Sequence, residues 1–98
     1  MLRDFFLGFI KIHILHHAIK EPVYGMCLIE ELGRHGYRLS PGTLYPMLHK
    51  LEEESLLRSY SENVEGKIRK YYRTTPKGIK ALTKIKEKIT ELAGEVME

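Results

Sequence analysis

The amino-acid sequence predicts a mostly helical α+β fold, and three observations predict it. Apolar residues recur at helical spacing in four segments. Two candidate strands, Leu56 to Glu62 and Ile68 to Thr74, the second rich in β-branched and aromatic residues, flank the turn-forming run Asn63-Val64-Glu65-Gly66-Lys67. Pro and Gly punctuate the chain where one segment must stop and another begin. Ninety-eight residues allow one small domain. A composition that is 43% hydrophobic and 30% charged belongs to a folded chain rather than a disordered one. The single Cys excludes a disulfide framework and a four-thiolate zinc site, and the absence of Trp excludes any site built around an indole.

The first helix is expected from Leu2 to Ile19. Its apolar residues occupy more than one stripe, so it must be buried on more than one side, and a second subunit is the natural cover for one of them. Glu21-Pro22 ends it, because Pro cannot continue the ladder. The second helix spans Tyr24 to Arg34, with Met26, Ile29 and Leu32 on one face and Gly33 and Gly36 closing it. Tyr37-Arg38-Leu39 reads as a short strand. Ser40 at the N-cap and Pro41 at the first helical position then open a third helix carrying Leu44, Leu48 and Leu51 inward. Pro46 fits that helix if its missing N–H falls among the first-turn donors that have no partner. Thr75-Pro76 opens a fourth helix running to Val96 or beyond.

Helix, helix, short strand, helix, strand, strand, helix is the order of a winged helix-turn-helix with an additional C-terminal dimerisation helix. Residues 1–75 are expected to form the winged unit and 76–98 the dimerisation helix, together one structural unit. At this point the chain resembles the PadR family of transcriptional regulators. The resemblance rests on Glu21-Pro22-Val23-Tyr24-Gly25 with Ile29 and Leu32, on Leu39-Ser40-Pro41-Gly42-Thr43-Leu44-Tyr45-Pro46-Met47-Leu48, on Leu51-Glu52-Glu53-Glu54, and on Lys70-Tyr71-Tyr72-Arg73-Thr74-Thr75-Pro76-Lys77-Gly78. It implies a dimeric, repressor-type DNA binder of the short, single-terminal-helix type and, in many relatives, a small phenolic or drug-like effector. Ser55 departs from the pattern where such chains usually place Gly after the third helix. The Trp of some relatives' drug pockets is missing too.

The DNA reading also stands on chemistry alone. A formal charge of +3 permits a polyanionic partner. Lys67, Arg69 and Lys70 concentrate cations at the hairpin tip and its returning strand, beside the duplex if the third helix enters the major groove. On that helix Thr43, Tyr45, His49 and Lys50 face away from the leucines, and the helix N-terminus at Ser40 offers free N–H groups to a phosphate. Arg34 and Arg38, ahead of it, are candidate backbone contacts. The plain alternatives are a solvated strand face for the cations and a packing role for Tyr45. Glu52-Glu53-Glu54 is expected to face solvent at the rear.

Leu82, Ile85, Ile89, Leu92 and Val96 step by three and four along the last helix, the period of a coiled-coil seam. Phe5 and Phe9 of the first helix are expected to join that dimer contact. Lys residues lead and Glu residues trail along the helix, against its dipole, and an antiparallel partner would relieve the conflict.

His13 and His17 share a helical face with His16 beside them, yet neither a His-Glu-x-x-His pattern nor a Cys pair supplies further ligands, so no metal site is assigned. Cys27 precedes acidic residues and lacks the cationic neighbours of a reactive thiolate. No nucleophile–base motif or phosphate cradle is present, and no enzyme and no cofactor are expected. Lys11 interrupts the opening apolar run well short of a membrane span or signal peptide, which predicts a cytoplasmic protein without membrane contact. The reading is therefore a homodimeric regulator on a palindromic operator in double-stranded DNA, and the resemblance to the family implies release by a small aromatic or phenolic effector. The rival readings are a winged-helix protein-interaction module and a metal or ligand sensor using the first helix.

Overall fold

The computed structural model describes residues 1–98. Four helices and one hairpin follow in the order α1 (Leu2–Lys20), α2 (Gly25–Arg34), α3 (Pro41–Glu53), β1 (Leu57–Val64), β2 (Lys67–Thr74) and α4 (Pro76–Val96). Ile10, Ile14, Leu15 and Ala18 of α1 pack with Leu28 and Leu32 of α2 and Leu44, Met47, Leu48 and Leu51 of α3. Leu57, Tyr72 and Leu82 close this core from the hairpin and from α4. None of the helices is long and apolar enough to cross a membrane.

Both turns around α3 are built by the same device. The N–H groups of Gly36 and Tyr37 return to the carbonyls of Gly33 and Leu32, and Gly36 takes a φ of 87°. After α3, Ser55 and Leu56 return to Glu52 and Leu51 in the same pattern, with Ser55 at a φ of 62°. Glycine adopts that left-handed conformation freely, whereas Ser55 carries a Cβ into it. The Thr75 hydroxyl holds this strained turn, donating to the Ser55 carbonyl at 2.6 Å while accepting the Gly78 N–H at 3.0 Å. A side chain at Gly78 would strike the Leu56 carbonyl, so glycine is what lets α4 start this close to the hairpin.

The hairpin pairs antiparallel from Leu57↔Thr74 to Val64↔Lys67, so its loop is the two residues Glu65-Gly66 rather than a five-residue connection. Both loop residues have positive φ, the twist-matched form of a two-residue turn, and the Asn63 side chain accepts the Gly66 N–H at 2.9 Å. Three expectations need correction. Tyr37-Arg38-Leu39 is not a strand, because no sheet edge lies beside it; the residue that joins the hairpin is Val23, which exchanges backbone bonds of 3.0 and 2.7 Å with Tyr72. Met26 is exposed, and the buried face of α2 is Gly25, Leu28 and Leu32. Pro46 lies in the second turn of α3, past the unpartnered donors, and is accommodated because it and the Gly42 carbonyl it deprives sit on the exposed side.

Candidate nucleic-acid interface

Burial of Leu44, Met47, Leu48 and Leu51 leaves Tyr45, His49 and Lys50 exposed on the opposite side of α3, with Thr43 half-buried. Ser40 is the N-cap residue, but its hydroxyl reaches the Thr43 hydroxyl at 3.4 Å and caps no N–H. Tyr45 reaches back across α2. Its ring occupies the space a Gly25 side chain would need, which explains why glycine opens α2.

A groove of about 470 Å³ joins this tyrosine to the wing. Tyr24, Gly25 and Met26 at the start of α2 line one wall, and Lys67, Ile68, Arg69 and Lys70 line the other. Within it the Arg69 guanidinium stacks 4.1 Å from the Tyr24 ring centre and donates to the Tyr71 hydroxyl at 3.5 Å. Tyr71 in turn stacks on Tyr60. Arg69 is thus a positioned cation rather than a free one. Lys67 is exposed at the tip, on the rim of the groove. Lys70 leans toward α3, 3.9 Å from Glu52.

Glu52 corrects the expectation of a solvated acidic run. Its carboxylate accepts the Ser59 N–H at 3.1 Å and the Ser59 hydroxyl at 2.6 Å, tying the end of α3 to the wing. Glu53 and Glu54 are exposed as expected. Arg38 lies apart from the wing groove, in a second hollow of about 600 Å³ that it shares with Arg3 and Thr43. His49 and Lys50 line neither hollow. Tyr24 and the α2 N-terminus were missed in the sequence; Gly25 beside an aromatic was the one available signal.

The expected dimer residues divide. Leu82 is 1% exposed within a single chain and belongs to its own core, so it is withdrawn from the seam. Ile85 is half-buried and lines an apolar hollow with Phe5 and Phe9 between α1 and α4. Phe5, Phe9, Ile89, Leu92 and Val96 are between 44% and 62% exposed.

Away from the groove, the fold adds what local spacing did not supply. His35, the C-cap residue of α2, joins His13 and His17, and one ring nitrogen of each lies within 4.8 Å of the others. Burial holds His13, His16 and His17 below the ordinary imidazole range. Neighbouring positive charge, from His35 at His13 and from Lys20 at His16, adds to the effect; Glu31 opposes it at His13 and His17. Burial raises the Cys27 thiol, which bonds only to the Tyr24 backbone, as suits an unreactive cysteine.

Two helices joined by a tight turn, the second flanked by a basic two-stranded wing, define a winged-helix regulator. Residues 14–84 match the transcriptional regulator PadR-like family, and the chain belongs to that family. It is 50% identical over 96 residues to transcriptional regulator Rv3488 of Mycobacterium tuberculosis, covering 98% of this chain and 90% of that one. Among solved structures it resembles a PadR family transcriptional regulator from Eggerthella lenta, with a TM-score of 0.85, 34% identity, and 98% and 85% of the two chains covered. A PadR-like transcription factor from Bacteroides fragilis gives a TM-score of 0.84 at 32% identity, covering 96% and 92%.

Proposed function

We propose that this transcriptional regulator is a homodimeric, sequence-specific repressor that grips a palindromic operator with α3 in the major groove and the wing beside it. The observation that carries the reading is the shared groove. Tyr45 of α3, the N-terminus of α2 and the cations of β2 line one concavity, and a phosphate there would meet free backbone N–H groups and Arg69 together. Arg38, Ser40, Thr43, His49 and Lys50 extend the contact along α3, and Lys67 reaches past it at the wing tip. Dimerisation follows from the apolar residues left open on α1 and the far half of α4, and antiparallel pairing of α4 sets its early lysines against its late glutamates. The apolar hollow of about 460 Å³ walled by Phe5, Phe9, Leu56 and Ile85 suits a small aromatic effector at the same junction.

Selection of fragments bound by the full chain from its source genome tests the reading. Recovery of a palindrome supports it. Fragments without a common motif would instead favour a protein-interaction module.

A further inference from the structure

We propose that His13, His17 and His35 form a binding site for a divalent first-row transition-metal ion, zinc above all, with Glu31 as the fourth donor. Three imidazoles converge from two helices, their nearest nitrogens within 4.8 Å of one another. The rings of His13 and His35 lie 4.5 Å apart, and the Glu31 carboxylate approaches His35 Nε2 at 3.8 Å. Tetrahedral zinc with bonds near 2.0–2.1 Å holds its nitrogens about 3.4 Å apart, so closure asks for shifts of roughly an ångström. His35 is exposed at the end of α2 and free to make that shift.

A second observation points to a ligand. The Nε2 atom of His17 is buried and has no hydrogen-bond partner, a position that costs free energy unless something accepts or supplies an electron pair there. A metal ion does so. Three imidazoles and one carboxylate suit borderline ions such as Zn²⁺ and Ni²⁺ better than hard ones, which prefer oxygen. An ion so held would staple α1 to the turn that launches α3. His16, although adjacent in sequence, lies toward Lys86 of α4 and takes no part.

The test is calorimetric titration of the chelator-stripped full chain with zinc chloride alone, paired with thermal unfolding. One ion per chain, together with a raised unfolding midpoint, is expected. His35→Ala, at an exposed position that should not disturb folding, is expected to weaken binding at least about tenfold and abolish the thermal gain, and Glu31→Gln to weaken it less. His16→Ala is expected to bind as the parent chain does. Absence of saturable binding at one ion per chain overturns the site, and so does a His35→Ala chain that binds zinc unchanged. Neither readout involves DNA, so this outcome and that of the operator selection are independent.

Discussion

Single residues carry the backbone strain of this fold. Ser55 sits in left-handed backbone at the end of α3. Ser55→Gly is therefore expected to stabilise the chain by about 1 kcal/mol in urea unfolding, and an unchanged or lowered midpoint would contradict the strain. The sequence already signalled this position, since a helix end without its usual glycine is visible in one line of letters. The contact between Tyr45 and Gly25 was not visible, because it joins two helices through space. Gly25→Ala is expected to push the Tyr45 ring outward, seen as increased tyrosine exposure without loss of the fold. The histidines set the pH response. His13, His16 and His17 titrate below their ordinary 6.5 when folded, so above that value both states are neutral and nothing is lost. As pH falls through 6.5 the unfolded chain takes up protons first, and stability declines until the folded values are passed. The unfolding midpoint should be level between about pH 7 and 8 and fall below about 6.5, and His17→Gln should flatten the decline. The convergence of His35 on His13 and His17 escaped sequence reading for the same reason as Tyr45: separate helices have no common period.

Elements were more legible than contacts. Helical periodicity, the helix-opening prolines Pro41 and Pro76 and the Thr75 cap placed the starts of all four helices within a residue, because burial and helix-opening signals are written locally, although the Ser40 hydroxyl caps no N–H. Tyr37-Arg38-Leu39 misled because strand propensity says nothing about whether an edge is available; Val23 found the edge instead. The charge run at Glu52 misled similarly, since what separates it from Glu53 and Glu54 is the Ser59 backbone opposite it. Glu52→Ala removes two hydrogen bonds between α3 and the wing, and is expected to cost about 1–3 kcal/mol of stability in urea unfolding. Duplex affinity should fall with it, although Glu52 itself would only repel phosphate. The wing cations act differently. Removing Lys67 and Arg69 together should weaken binding to all sequences alike and lower the slope of log affinity against log salt by about one for each phosphate no longer neutralised. A steeper slope, or an effect confined to one sequence, would assign them elsewhere.

The whole molecule is elongated, 53 by 28 by 21 Å, because the last turns of α4 leave the core. Its radius of gyration is 14.4 Å, against about 13 Å for a compact chain of this length. The heptad-like stripe predicted a seam on α4, and the fold divides that stripe between the chain's own core at Leu82 and open surface from Ile89 onward. Spacing alone could not make that division, because both uses need the same period. Leu92→Asp is accordingly expected to leave a folded monomer in sedimentation, with duplex affinity abolished, whereas Leu82→Asp should unfold the chain. The measurement that bears most directly on the regulator is a hydroxyl-radical footprint of the wild-type protein on its recovered genomic fragment. Two protected patches related by a dyad and centred about 10 base pairs apart, or a multiple of that, are predicted, one for each α3 of the proposed dimer. A single patch, or even protection without symmetry, would contradict it.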